Sequence, residues 1–267
     1  MRVLLVSDLT HGGAGIDAAR LFASLRKCYR DVEWIASQGE AVSGGAVIGR
    51  WKSLAEIISL RLSLKLGIGD QAVAGTERAF SEKRLLREIA RRRPDLVNLH
   101  NIHEAASFGL LERLPERTPV VWTLHDMWPL TGYCCYSFEC AKYLTGCHGE
   151  CPQMGKWGPP QQPPEREWRR RDTAIAAIGD RSVLVAPSRW LADCARRRFQ
   201  SLIRVEHIPN GLDTAVFRPL SLKAAARESL GLEDKRDIIL AGAESLADER
   251  KGMRYFADAV ELLRKDR

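Results

Sequence analysis

The feature that most constrains the fold is a regular alternation of short apolar runs with amphipathic stretches. The run RVLLVS at 2–7 is bounded by polar residues, which is typical of a strand buried in a parallel sheet. The next stretch, 16–30, spaces its apolar residues at helical intervals. Further strands are predicted at 32–36, 96–100, 120–124, 183–186, 205–208 and 238–241. Further helices are predicted at 54–66, 77–93, 105–114, 165–178, 189–199, 222–230 and 252–264. This order predicts an α/β fold, a Rossmann-like, doubly wound parallel sheet.

Two segments interrupt the alternation and suggest how the chain is divided. The stretch 132–164 is rich in cysteine and ends in GKWGPPQQPP, where proline removes backbone donors and glycine adds freedom, so no regular structure is expected. The sequence PNG at 209–211 is typical of a turn. We therefore predict one domain over 1–209, with a cysteine-rich insert at 132–164, and an incomplete second domain over 210–267.

Composition places the chain among ordinary globular proteins. Of its 267 residues, 45% are hydrophobic and 28% are charged, which excludes a disordered or fibrous class. The amino terminus has a short apolar run interrupted by Asp8, so it resembles neither a signal peptide nor a membrane span. No later stretch approaches the roughly 20 apolar residues that cross a bilayer. A cytoplasmic protein with reduced thiols is expected.

The charge balance is basic, with a net charge of +7 and runs of arginine at 91–93, 169–171 and 196–198. Such runs are usually solvated helix faces. They can also attract an anionic membrane surface or a phosphate-bearing substrate. No interleaving of aromatic and basic residues or recognition helix is present, so no nucleic acid partner is expected.

A histidine–aspartate pair directly follows the strand predicted at 120–124. Because open parallel sheets bind ligands just beyond the carboxyl ends of their strands, His125 and Asp126 are candidate catalytic residues. The alternative is that Asp126 caps a helix and His125 is a satisfied loop residue.

A glycine-rich loop, HGGAG at 11–15, joins the first strand to the first helix. Glycines there let backbone N–H groups approach a ligand, and a helix N-terminus favours anions, so Gly12 and Gly13 are candidate phosphate-binding residues. The loop is neither GxGxxG nor a Walker motif, so it specifies no particular nucleotide. A tight strand–helix turn remains the alternative.

Five cysteines lie between positions 134 and 151, and four of them are candidate metal ligands. In a reducing cytoplasm, clustered thiols in a loop without its own core favour a structural Zn²⁺. Free thiols and disulfides remain the alternatives. Four protein ligands leave no open position for a water nucleophile, so such a zinc would not be catalytic. The four candidates are Cys134, Cys140, Cys147 and Cys151.

Six motifs occur together in one order along the chain. They are the GG loop, NLHNIHE at 98–104, TLHDMWPLTG at 123–132, APSRWLA at 186–192, IPNGLDTAVFRP at 208–219 and GAESLADERKGM at 242–253. In combination they resemble family 4 of the retaining glycosyltransferases, which have the GT-B fold. HDMWP followed by cysteines resembles the bacterial branch that assembles exopolysaccharide and lipopolysaccharide.

The resemblance implies two Rossmann-like domains that face each other across a cleft. By that pattern, 1–209 holds the acceptor and 210–267 begins the domain that binds the nucleotide-sugar donor. The implied reaction transfers a sugar, with retention of configuration, to a growing lipid-linked saccharide at the inner face of the plasma membrane. No cofactor is required for catalysis. The family's Glu-x7-Glu region has no counterpart in these residues, so we expect either a fragment of an enzyme or a non-catalytic acceptor-binding or partner-binding module.

The resemblance also assigns roles to single residues. His125 is placed near the donor sugar and its anomeric carbon, with the neighbouring Asp126 in an orienting or capping role. Arg250 and Lys251 correspond to the basic pair that holds the leaving diphosphate. The residues implied to bind the donor are Gly12, Gly13, Asn210, Arg250 and Lys251.

Overall fold

The computed structural model describes residues 1–40, 44–48, 58, 61–62, 70–157, 162–219, 223–232, 237–243 and 245–265. The chain divides into two compact units, Met1–Leu212 and Asp213–Arg267. Among the helices in these ranges, none combines the length and apolar character that a bilayer span requires.

The first unit is built on a parallel sheet of seven strands from the described residues. They are β1 (Arg2–Leu9), β2 (Asp31–Gln38), β3 (Gly45–Val47), β4 (Leu96–Leu99), β5 (Val120–Thr123), β6 (Ser182–Ala186) and β7 (Arg204–His207). The strand order is β3-β2-β1-β4-β5-β6-β7, and every neighbouring pair is parallel. The order reverses direction between β1 and β4, which makes this the switch point of a doubly wound sheet. The predicted fold class is confirmed.

Helices follow most of the strands. The first unit contains α1 (Gly12–Cys28), α2 (Asp70–Arg92), α3 (Gly109–Glu112), α4 (Pro164–Ile178) and α5 (Arg189–Phe199). The second unit contains α6 (Lys223–Ser229) and α7 (Met253–Lys265). Short 3-10 turns lie at Lys142–Leu144, Gly179–Arg181 and Glu249–Lys251. The helix predicted at 54–66 falls largely outside the described residues.

The core lies on both faces of the central strands, as continuous apolar strands require. On one face of β1, Leu4 and Val6 join a large cluster that includes Trp122 of β5. On the other face, Val3 and Leu5 pack in a smaller cluster with residues of α1 and β2. Within that smaller cluster, the rings of Phe22 and Trp34 lie 5.7 Å apart. Burial of alternate residues on opposite faces fixes the register of β1.

The helix predicted at 105–114 is wrong except for the single turn of α3. In the residues that precede α3, side chains from other elements accept hydrogen bonds from the backbone N–H groups. The carboxylate of Asp8 accepts from the N–H groups of Glu104 and Ala105, at 3.0 and 2.9 Å. Glu82 accepts from the N–H of Ser107 at 2.6 Å. These tertiary hydrogen bonds replace the helical ones, so the chain forms a loop at the end of β4.

Two strand assignments also differ from expectation. The short edge strand β3 was not predicted. The strand predicted at 238–241 is wrong: residues 237–243 form no strand, and Leu240 is 93% exposed. A strand is stable only when its backbone pairs with a neighbour, and no described residue of the second unit belongs to a strand. None of the described residues in that unit is buried.

Candidate functional site

The candidate site lies at the carboxyl ends of β1, β4 and β5. The carboxyl ends of parallel strands lie at one edge of a sheet, and here the edge coincides with the switch point. His100 directly follows β4, and His125 lies two positions beyond β5. The structure therefore brings together two histidines that are 25 residues apart in sequence.

The two histidines are in direct contact. Nδ1 of His100 lies 2.9 Å from Nε2 of His125, and the rings stack with centroids 5.2 Å apart. Burial, and to a smaller extent the neighbouring His125, lower the pKa of His100 to about 3. Burial also lowers the pKa of His125, while the carboxylate of Asp17 opposes that shift. Both rings are therefore neutral near pH 7.

Asn98 contacts His100 on the side of the ring opposite His125. Its Oδ1 lies 3.0 Å from Nε2 of His100, and its amide nitrogen donates to the carbonyl of Val121 at 2.8 Å. Asn98 in β4 and His100 directly after it are two positions apart, so both side chains point to the same face of the sheet. Sequence reasoning placed both residues in the motif NLHNIHE but assigned neither of them a role. The signal it could have used is two polar residues at alternate positions in an otherwise apolar strand.

Asp17 and Asn210 form the outer part of the cluster. Oδ2 of Asp17 lies 4.0 Å from Nδ1 of His125 and accepts a hydrogen bond from the amide of Asn210. Sequence reasoning also missed Asp17. It lies one helical turn after Gly13, on the same face of α1, so the glycine loop shares an edge with His125 and Asn210.

The glycines of the first loop have separate structural roles. Gly12 begins α1 with a φ of +68°, and open space surrounds the positions that a Cβ would occupy at Gly12 and Gly13. At Gly15 a Cβ would stand 2.7 Å from the backbone carbon of Thr10, so packing requires this glycine. The side chain of His11, the N-cap residue, makes no capping hydrogen bond to α1, so it does not compete there with a ligand. The assignment of Gly12 and Gly13 to donor binding stays a prediction.

Asp126 is buried and directed into its own loop. Its Oδ1 accepts a hydrogen bond from the backbone N–H of Trp128 at 2.8 Å. This is an Asx-type turn, which shapes the backbone immediately after His125. Asp126 thus closes a turn and does not cap a helix, because no helix follows it. A direct catalytic role of Asp126 stays a prediction.

Two buried arginines hold the loop that follows Asp126. Arg171 donates from Nε to the carbonyl of Trp128 at 3.1 Å, and its guanidinium lies 4.6 Å from the ring centre of Phe108. Arg198 donates to the carbonyl of Leu130 at 3.0 Å. The interpretation of the arginine runs as solvated faces is therefore wrong for Arg171 and Arg198. Each lies on the inner side of its helix, because carbonyls of the loop offer it acceptors there.

The cysteine-rich insert brings its four predicted ligands around one cavity, together with Tyr133 and Tyr143. All seven cysteines of the chain carry free thiols. Burial raises the pKa of Cys134 to about 12 and also raises that of Cys147. Four thiols suit Zn²⁺. In the part of the chain that the structure describes, however, no three His, Cys, Asp or Glu side chains stand close enough to share a metal ion. The structural zinc stays a prediction.

The predicted basic pair lies in the second unit, in the 3-10 turn Glu249–Lys251. The guanidinium of Arg250 forms two hydrogen bonds with the carboxylate of Asp248, at 3.0 and 2.5 Å. Asp248 also accepts from the backbone N–H of Arg250 and so caps the turn. The role of Arg250 and Lys251 at a diphosphate stays a prediction.

Comparison with known proteins agrees with this fold. Residues 12–216 match the family model described as Glycosyltransferase Family 4, and the chain belongs to that family. It is 28% identical over 153 residues to the putative colanic acid biosynthesis glycosyl transferase WcaC of Escherichia coli (strain K12). That alignment covers 52% of this chain and 36% of the relative.

A solved structure shares the fold. The sucrose-phosphate synthase of Thermosynechococcus elongatus superposes with a TM-score of 0.50 at 14% identity. The match covers 87% of this chain and 53% of that one. The chain thus spans about a third of the curated relative and about half of the solved structure.

Proposed function

We propose that this chain takes part in transferring a sugar from a nucleotide-sugar donor to a saccharide acceptor, with retention of the anomeric configuration. Family membership supports the reaction class. The observation that carries the proposal is the cluster of His125, His100, Asn98, Asp17 and Asn210 at the switch point of the sheet. Ligands of open α/β sheets bind at such a point.

The chemistry of sugar transfer needs two kinds of stabilisation. The leaving nucleoside diphosphate gains negative charge in the transition state, and fixed donors or cations lower the barrier. The uncapped N-terminus of α1, at Gly12 and Gly13, offers such donors. Arg250 and Lys251 are proposed to add positive charge. His125 and Asn210 are proposed to contact the sugar.

The acceptor is proposed to be a growing, lipid-linked saccharide in the assembly of a cell-envelope polysaccharide. The name of the Escherichia coli relative, which refers to colanic acid biosynthesis, supports a polysaccharide product. The net charge of +7 supports transient contact with the anionic inner face of the plasma membrane, from the cytoplasm. Neither a cofactor nor a nucleic acid is part of the proposal.

A second candidate function is acceptor binding or partner binding without catalysis. One observation favours it: none of the described residues beyond Leu212 is buried or belongs to a strand, so these residues do not build a donor-binding sheet. In that case the first unit would bind a saccharide but release no nucleotide.

One experiment separates the two candidates. The protein is incubated with membrane-extracted saccharide lipid and a panel of UDP-, GDP- and dTDP-sugars, and release of nucleoside diphosphate is measured. We expect release with at least one donor, and NMR of the product should show the anomeric configuration of that donor. Acceptor binding without release from any donor would contradict catalysis and support the second candidate.

A further inference from the structure

A chain of hydrogen bonds leads from the sheet to His125, and its first member sets the direction of all the others. The side-chain nitrogen of Asn98 lies 2.8 Å from the carbonyl oxygen of Val121 and 3.4 Å from Oγ1 of Thr123. A carbonyl oxygen can only accept, so the NH₂ group of the amide must face Val121. The amide oxygen of Asn98 therefore faces His100.

The orientation of Asn98 fixes the proton on His100. An amide oxygen can only accept, so Nε2 of His100, at 3.0 Å, must carry its hydrogen. Burial of the ring and the neighbouring His125 disfavour a second proton, and the pKa of His100 is lowered to about 3. Nδ1 of His100 is therefore an acceptor. The backbone is also held in place, because Trp122 donates from its indole to the carbonyl of His100 at 3.0 Å.

The same logic passes to His125. The 2.9 Å contact between Nδ1 of His100 and Nε2 of His125 needs one hydrogen, and only His125 can supply it. Nε2 of His125 is thus protonated, and Nδ1 of the neutral ring keeps its lone pair. The charged and titratable groups that face the ring are His100 and the carboxylate of Asp17. Nδ1 stands 4.0 Å from Oδ2 of Asp17, beyond hydrogen-bonding distance.

We propose that Asn98 and His100 are positioning residues that hold His125 in the Nε2–H tautomer, which makes its Nδ1 a hydrogen-bond acceptor for a ligand hydroxyl. Nδ1 and the Asp17 carboxylate are both acceptors, so a group that binds to either of them must donate. Sugar hydroxyls donate, and the oxygens of an ionised diphosphate cannot. Nδ1 of His125 therefore pairs with a sugar hydroxyl and not with the phosphates of the donor. The choice of a sugar ligand rests on the proposed function, whereas the tautomer does not.

The tautomer is measured directly on this chain by long-range ¹H–¹⁵N correlation of the histidine rings. Signals are assigned by their loss in His125→Gln and in His100→Gln. We expect both rings to carry one proton, on Nε2, at pH 7. A proton on Nδ1 of His125, or on both of its nitrogens, would overturn the proposal whether or not the protein transfers sugars.

Substitutions of His100 test the positioning role. In His100→Leu, the acceptor for His125 is lost, and His125 should show a mixture of tautomers. In His100→Gln, the amide oxygen can accept the same hydrogen and should restore the Nε2–H form. The matched control is Leu99→Ala, which removes buried volume at the residue just before His100, the last of β4. An unchanged tautomer in His100→Leu would contradict the positioning role.

Turnover supplies a second readout. In an active preparation, His100→Leu should lower kcat on the order of tenfold, with a smaller change in KM, because a misplaced acceptor affects the reacting geometry more than binding. His100→Gln should recover most of the loss. If Leu99→Ala lowers kcat as much as His100→Leu while both keep the fold, the effect is structural and the positioning role is wrong. If no donor supports turnover, the proposed function fails while the tautomer result stands.

Discussion

His125, His100 and Asn98 form a neutral, directed hydrogen-bond chain at the edge of the sheet. The chemical consequence concerns charge. A neutral imidazole cannot stabilise a diphosphate as a cation would, so stabilisation of the leaving group has to come from backbone donors or from other basic residues. This assigns separate tasks to His125 and to the first turn of α1, although they lie on the same edge.

Loss of the His125 ring should impair catalysis more than folding. For His125→Ala in an active preparation we expect kcat to fall roughly 10²-fold, equivalent to about 2.7 kcal/mol. His148→Ala, at an exposed position, is the control and should leave turnover unchanged. Circular dichroism and steady-state kinetics on the same samples check both points. Near-normal turnover of His125→Ala would show that His125 is a loop residue only.

Asp126 should contribute to stability through its turn. Asp126→Ala removes the acceptor for the N–H of Trp128 and should cost about 1 kcal/mol of unfolding free energy. Asp126→Asn keeps an oxygen at that position and should cost clearly less. Urea unfolding of the two variants measures the difference. Equal losses in both would contradict the role of Asp126 in the turn.

The buried histidines should make stability depend on pH. A histidine whose folded pKa lies below its unfolded value favours the folded state at high pH, and this contribution is lost as pH falls. For His100 the window runs from its ordinary value of 6.5 down to about 3. The unfolding free energy measured in urea should be lower at pH 4.5 than at pH 7 by a few kcal/mol, because the unfolded state binds a proton that His100 in the folded state does not. In His100→Gln the difference should shrink; an unchanged difference would assign it to other groups.

At the scale of elements, the first turn of α1 contains two glycines that differ in how well they tolerate an added side chain. Gly15→Ala places a Cβ 2.7 Å from the backbone of Thr10, so it should destabilise the protein by about 1–3 kcal/mol. Gly13→Ala meets open space and should fold normally. Thermal unfolding of the pair measures this contrast. Equal stability of the two variants would show that the turn relaxes at no cost.

The loop after β5 depends on the inner faces of α4 and α5. The helix α4 buries Arg171 completely and leaves Arg169 73% exposed, although the two are neighbours in one basic run. Arg171→Ala removes the donor to Trp128 and the packing against Phe108, which should cost about 2–4 kcal/mol. Arg169→Ala should change stability by less than about 0.5 kcal/mol. Chemical unfolding of both variants checks the assignment.

At the scale of the whole molecule, the two units differ in how many of their described residues are buried. The central strands of the first unit are covered on both faces, whereas the described residues of the second unit are all at least partly exposed. Amide exchange should therefore be slow in β1 and β4 and fast throughout 237–265. Mass-spectrometric exchange on the intact chain measures both regions at once. Protection in 237–265 equal to that of β4 would contradict this expectation.

Local pattern in the sequence was sufficient for most of the fold. Apolar runs buried on both faces identify β1, β4, β5 and β6, and helical spacing identifies α5 with the bounds that the structure shows. These features depend on residues a few positions apart, so a sequence carries them by itself. The glycine loop and the pair at 125–126 were located for the same reason, because each directly follows an apolar strand.

Contacts between distant residues decided the rest. Asp8 and Glu82 convert a helical pattern at 105–108 into a loop, Asp17 meets Asn210 across 193 positions, and Arg198 turns inward to a carbonyl 68 positions away. None of these hydrogen bonds has a periodicity or spacing that a sequence reveals. They form because packing of helices on the sheet brings donors and acceptors together where water is excluded and an unpaired polar group is costly. The sequence by itself determined the order of elements and the edge that carries the site; only the tertiary structure decided which side chains meet there.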